Sequence, residues 1–176
     1  MSSLNKGPEK LVVSLQWDPS PAGRPHHDLD IVAATYTASA PQGPPVYLVH
    51  FGSRSPDGTI TLNRDSKTGQ GFGADEVMTL ELYRMSTEYT RVVIGVAIQQ
   101  GEGRLTFGEV ADPAVRVKDG YVELCHEDFS GVPEATAATV GELSRDSSGE
   151  WRFRKVLRGF DADPTAFAQM MGNTGG

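Results

Sequence analysis

Apolar side chains recur at every second position along most of this chain, and few architectures accept that period. In Lys10–Trp17 the residues Leu11, Val13, Leu15 and Trp17 share one face, with Lys10, Ser14 and Gln16 opposite. A strand sends successive side chains to opposite faces, so the pattern describes a strand with one buried side. The same reading applies to Leu29–Tyr36, Val46–Phe51, Thr59–Leu62, Glu76–Tyr83, Arg91–Gln99, Arg104–Val110, Ala114–Lys118, Tyr121–Cys125, Ala138–Leu143 and Trp151–Leu157. Arg91–Gln99 (RVVIGVAIQ) is apolar on both faces at its centre, which predicts a central strand.

The punctuation agrees. Asp119-Gly120, between VRVK and YVEL, predicts a two-residue hairpin in which both turn residues take positive φ. Pro56-Asp57-Gly58 and Ser148-Gly149 read as further turns. The 20 Gly and 11 Pro among 176 residues exceed ordinary usage and suit many chain reversals. Roughly eleven short strands at this spacing predict an all-β domain, a sandwich or a barrel. Helix is expected at the C-terminal end, where Asp163 caps, Pro164 takes the first helical position and Thr165–Met171 follows. Residues 84–90 suit one more helical turn. No repeat or linker divides residues 1–176, so a single domain is expected, with mobile ends at residues 1–8 and 172–176.

Asp and Glu number 23 against 16 Lys and Arg, for a net charge of −7. That field repels phosphate backbones and anionic lipid, so nucleic acid is not an expected partner; cations or a basic partner suit it better. The single Cys125 has no partner for an internal disulfide, which fits a reducing, cytoplasmic setting. The start of the chain (MSSLNKGPEK) is polar and lacks a signal-peptide core, and no run approaches the ~18 apolar residues of a membrane span.

Acidic residues mark the places where chemistry is expected. Asp28-Leu29-Asp30 heads an apolar strand, and side chains at i and i+2 leave a strand on one face. Two carboxylates there repel, and a cation offsets the repulsion best. Asp75-Glu76 closes a Gly-rich loop, Asn63–Ala74, that carries Asp65 near its start. If that loop folds beside the 28–30 strand end, the acids converge into an oxygen-rich site of the kind Ca²⁺ takes. Gly69, Gly71 and Gly73 would let backbone carbonyls turn inward, since glycine tolerates unusual φ. The alternative is that these are solvated loop acids. The spacing is not that of an EF-hand.

Other motifs carry less. Gly69–Ala74 matches G-x-G-x-x-A, but Asp75-Glu76 follow at once and would repel a pyrophosphate, and the next segment reads as strand. His26-His27-Asp28 in the Pro-rich loop Asp18–His27 is a weak zinc fragment, better read as exposed polar residues. Cys125 and His126 are strand neighbours and point apart, so they form no dyad. G-x-S-x-G, H-E-x-x-H and P-loop motifs are absent from the sequence. Paired acids can hydrolyse glycosides, yet Trp17 and Trp151 read as core residues, not as a sugar cleft. Enzyme activity is therefore not expected. Arg152 and Arg154, with Lys155 and Arg158, form a basic stripe. It is either a solvated face or a docking surface for an acidic partner or a second copy.

Taken in order, LNKG (4–7), WD (17–18), DLD (28–30), SPDGT (55–59), RDSKTGQGFGADE (64–76), TFGEV (106–110), EDFSG (127–131) and GEL…GEWRFR…GF (141–160) resemble the TerD-type family of tellurium-resistance and stress-response proteins, above all its actinobacterial branch. The resemblance spans Leu4 to about Gly172. It implies a β-sandwich of two mostly antiparallel sheets with one or two short helices. It also implies calcium held by acidic loops at one end, with Asp28 and Asp30 matching the family's DLD acids, Asp65 the Asp of its G-D-N stretch, and Asp75 and Glu76 its closing acids. Members are linked to resistance to tellurite, other chemical stress, phage and bacteriocins, through binding and assembly and not catalysis.

Departures from the family pattern bear on the metal. Ser66 stands where the family has Asn, Gln70 and Phe72 where it has Glu, and Ala74 where it has Asp; Phe51-Gly52 replaces an Asn pair. Ligand charge controls calcium affinity, so a weakened site is expected. The resulting expectation is a non-catalytic calcium-binding module that joins a stress-response assembly or associates with itself. The alternative is a metal-independent interaction module with a degenerate calcium site.

Overall fold

The computed structural model describes residues 7–50, 54–64, 74–101 and 103–173. Among the described residues ten strands follow in chain order: β1 (Lys10–Gln16), β2 (Leu29–Thr37), β3 (Tyr47–Val49), β4 (Ile60–Arg64), β5 (Glu76–Glu81), β6 (Tyr89–Ile98), β7 (Ala114–Asp119), β8 (Val122–Glu127), β9 (Ala137–Arg145) and β10 (Trp151–Phe160). One helix, α1 (Pro164–Met170), follows them. The strands form two five-stranded antiparallel sheets, ordered β4-β5-β1-β7-β8 and β10-β9-β6-β2-β3. The fold is an all-β sandwich: all-β as the alternation and the turns predict, and a sandwich, not a barrel, as the family resemblance implies. No helix among the described residues is long and apolar enough to cross a membrane.

The inner faces meet in one core. Leu11, Val13, Leu15 and Trp17 come from one sheet, and Leu29, Ile31, Val92, Ile94, Val96 and Ile98 from the other. Trp151 is buried in the same cluster. Strand β6 is central, as RVVIGVAIQ predicts, and its second face is apolar because α1 covers it. Phe167, Ala168 and Met171 of that segment pack on Val32, Ala34, Tyr36, Val93 and Ala97. Gly95 makes the docking possible, since a Cβ there would lie 2.6 Å from the Phe167 ring and 2.9 Å from the Ala138 carbonyl oxygen. The helix starts as expected: Asp163 caps it by accepting the Ala166 N–H at 2.8 Å, with Pro164 in the first turn.

Three local expectations need correction. Arg104–Val110 is not a strand. Phe107–Glu109 form a 3-10 turn closed by a capping box, in which the Thr106 N–H and hydroxyl both donate to Glu109 Oε1 at 3.0 Å. Phe107 then stacks on Phe129, with ring centroids 4.2 Å apart. The apolar residues of this segment are buried by one turn and not by alternation. The β7–β8 hairpin is also shifted by one residue. Asp119 pairs with Val122, so the turn residues are Gly120 and Tyr121, and only Gly120 has positive φ (61°). A glycine first in a two-residue loop is the alternative hairpin chemistry. The extra helical turn falls at Leu82–Arg84, slightly before the expected 84–90.

Arg91 fastens the far end of α1 to its sheet. Its Nη1 donates to the carbonyls of Pro41 (2.6 Å) and Gly172 (2.7 Å), while Nε and Nη2 donate to Glu142 Oε2 at 3.1 and 2.8 Å. Burial pushes the Glu142 carboxyl up, but hydrogen bonds and charge from Arg154 and Arg91 outweigh it and hold the group below the ordinary 4.5. A carboxylate with a depressed folded pKa contributes stability above its unfolded pKa and loses it as pH falls through the folded value. Glu142→Gln is therefore expected to cost about 1–2 kcal/mol at pH 7. The difference from the unmodified protein should shrink as pH falls through the depressed folded value, in urea titrations run down from pH 7.

Candidate metal centre

Strand β2 begins between two acids. Leu29 enters the core, and Asp28 and Asp30 on either side of it leave together toward the other face. Strand β3 runs to Val49, opposite Ala33, so the edge of β2 at Ile31 lies beyond its last paired residue. The side chain of Glu76, the first residue of β5 in the opposite sheet, reaches this edge, and its Oε1 accepts the Ile31 N–H at 2.8 Å. Asp28, Asp30 and Glu76 thereby each place a carboxylate oxygen within 4.8 Å of the others. Among the described residues this is the one group of three or more acidic, His or Cys side chains so disposed.

The spacing suits an ion. Two oxygens on opposite sides of a Ca²⁺ are about 5 Å apart, given ligand distances of about 2.3–2.6 Å, so one ion can touch all three groups. Asp30 is 2% and Glu76 0% exposed, and Asp28 is half-buried. Three carboxylates this close disfavour one another's charge, and burial sharpens the cost. Gln99 offsets part of it, with its Nε2 donating to Asp30 Oδ2 at 2.6 Å and its N–H to the Asp28 carbonyl at 2.9 Å. An amide supplies a dipole but no charge. The donor set is all oxygen, which suits a hard divalent cation. The acidic trio can hold a metal ion.

The other expected site residues that the structure describes lie elsewhere. Asp75 is 1% exposed and turned to β1: its Oδ2 accepts the Trp17 N–H at 2.8 Å, and its own N–H donates to the Leu15 carbonyl at 2.8 Å. It is not part of the trio, and it fixes the direction in which Glu76 enters. Asp65, Gly69 and Gly71 lie outside the described residues. Arg152 is paired with Asp146 at 3.0 Å and Arg154 with Glu142, while Lys155 lies 3.4 Å from Glu127. Arg152, Arg154 and Lys155 of the stripe thus have acidic partners within the chain. His26 is exposed, and the His27 carbonyl accepts the Trp17 indole N–H at 2.9 Å, which anchors the end of the Pro-rich loop.

Two neighbours of the trio escape a reading of the sequence. Gln99 stands beside Asp28 because Leu29 pairs with Ile98, a register that sequence does not announce. His50, just past β3, is half-buried; burial lowers its pKa from 6.5 and the charge of Asp30 acts in the opposite sense.

Residues 1–170 match the family model described as the TerD domain. The chain belongs to the TerD domain family. Tellurium resistance protein TerD of Serratia marcescens is 29% identical over 157 residues, covering 86% of this chain and 81% of that protein. General stress protein 16U of Bacillus subtilis (strain 168) is 28% identical over 170 residues, covering 91% and 86%. A TerD-family crystal structure from Streptomyces coelicolor A3(2), described as a homologue of telluride resistance protein, superposes with a TM-score of 0.93 at 54% identity, over 95% of this chain and 99% of that one. A second crystal structure, of a protein of unknown function, gives 0.94 at 56% identity over 97% and 100%. This TerD domain therefore sits within a tellurium-resistance and stress-response family.

Proposed function

We propose that this TerD domain is a non-catalytic, calcium-binding module of a cytoplasmic stress response, acting by binding and assembly. The observation that carries the reading is the carboxylate trio of Asp28, Asp30 and Glu76, drawn from two different sheets onto one point. A divalent cation there would neutralise two of three charges and tie the start of β2 to β5. The absence of catalysis is supported by the residues themselves. Cys125 is buried, and burial raises its thiol pKa above 9.0, away from reactivity. The candidate acids are spent on strand ends and on one another. The names of the Serratia and Bacillus relatives supply the biological setting.

Calorimetric titration with CaCl₂ tests the reading. One site should saturate below millimolar calcium, and chelator should lower the melting temperature. No heat and no chelator effect would instead favour a metal-independent interaction module. The loss of acids at Gln70, Phe72 and Ala74 supports that second reading. On it, Asp28→Ala leaves fold and partner binding intact, and Arg152→Glu disrupts association.

A further inference from the structure

Where α1 ends, the outer face of its sheet opens as a pocket of about 190 Å³. That is below the roughly 300–1,000 Å³ of drug-sized sites, so the pocket suits an occupant of few atoms. Strand β6 contributes Arg91 and Val93, β9 contributes Glu142, β10 contributes Arg154 and Arg158, and Met171 closes one side. Strand register sets Val93, Glu142 and Arg154 in one row. Three guanidiniums face one carboxylate, which leaves two positive charges on an acidic chain. Glu142 is already shared between Arg91 and Arg154. Arg158 has no carboxylate partner among the described residues. Its Nη1 donates to the Asn173 carbonyl, which supplies a dipole and no charge, and its guanidinium lies 5.3 Å from the centroid of the Phe160 ring.

We infer that this pocket binds a dianionic phosphoryl group, either free phosphate or a phosphate monoester with a short carbon body. Charge is the first reason: the two uncompensated positive charges match a dianion. Donor geometry is the second. Arg154 gives one N–H to Glu142 and Arg158 one to Asn173, so most of the donors on both forks remain for a ligand. Two forks can engage more acceptors than the two oxygens of a carboxylate, and a phosphoryl group offers at least three. The third reason is a rigid floor. Arg91 and Glu142 are only 12% and 14% exposed, and Arg91 is also held by the Pro41 and Gly172 carbonyls. Val93 and Met171 give a short carbon body an apolar surface. The net charge of −7 works against the approach of any anion, so binding rests on these contacts and weakens with salt. The pocket shares no residue with the carboxylate trio, and the inference stands apart from the calcium reading.

The probes are inorganic phosphate and propyl phosphate, with acetate as the monoanion control, titrated without calcium at pH 8 and constant ionic strength and followed by NMR shifts. Saturable binding of both phosphates is expected, with shifts at Val93 and Met171 and with acetate far weaker. Tighter binding of propyl phosphate identifies the monoester as the occupant, and equal binding identifies free phosphate. Arg154→Gln, at an exposed strand position, should weaken both by about tenfold, the scale of one charge-assisted hydrogen bond, and Arg158→Gln should do the same. Glu142→Gln should tighten both, because it removes the one negative charge in the lining, although it lowers stability. A merely structural role for Glu142 would not produce that opposite sign. Acetate binding as tightly as phosphate, no saturation by either phosphate, or phosphate binding unchanged in both folded Arg variants overturns the inference. So does a folded Glu142→Gln variant that binds phosphate no more tightly. The outcome of calcium titration bears on the carboxylate trio and leaves this inference untouched.

Discussion

Glu76→Gln is expected to erase calcium-dependent stabilisation while raising the stability of the metal-free protein. The side chain is fully buried and close to two other carboxylates, so in the absence of a cation its charge works against folding. Neutralising it should recover roughly 1–3 kcal/mol without metal, the scale of like charges separated by a few ångströms at a protein-like dielectric. Glutamine keeps an oxygen that can accept the Ile31 N–H, so the end of β2 stays capped. At calcium a hundred times its dissociation constant the unmodified protein gains about 2.7 kcal/mol, and the variant should gain almost none. Melting curves in chelator and in calcium should therefore change order. The variant melts higher without metal, and the unmodified protein gains ground only when calcium is added. A variant that is simply less stable in both conditions would mean Glu76 acts only as a cap.

Phe167→Ala should produce the largest loss of stability, about 3–5 kcal/mol for a buried aromatic cut to alanine. Phe167 is fully buried, lies over Gly95 and meets Phe160 edge-on with ring centroids 5.2 Å apart. It is the main apolar contact of a helix of only seven residues, too short to persist without docking. Removing it should free α1 and uncover Val32, Ala34 and Tyr36 on the outer face of β2. Urea titration should show a lower midpoint, and Phe167→Leu should recover most of the loss. A cost under about 1 kcal/mol would mean that the helix contributes little to holding that sheet.

Much of this architecture is legible in the sequence because two physical periods are unambiguous there. The alternation of β1 specifies its buried face, and the two-sided apolarity of β6 specifies a layer on each side. The missing information was what the second layer is: α1 covers the outer face, and Gly95 looks like a strand weakness until Phe167 is placed over it. Arg104–Val110 misled because Leu105, Phe107 and Val110 mimic strand apolarity, whereas Thr106 and Glu109 close a turn. At the metal centre, the shared face of Asp28 and Asp30 followed from their spacing alone. Which of Asp75 and Glu76 joins them did not. It depends on Asp75 being held by the Trp17 N–H and on the Ile31 N–H being turned to Glu76. Both are consequences of pairing between strands far apart in the chain, where sequence period is silent.

The most direct measurement is a crystal structure of this protein grown in millimolar CaCl₂, refined with anomalous data. One ion should appear between β2 and β5, with carboxylate oxygens of Asp28, Asp30 and Glu76 about 2.3–2.6 Å away. Crystals saturated with calcium in which the three side chains stay collected around nothing but water, or separate from one another, would contradict the account.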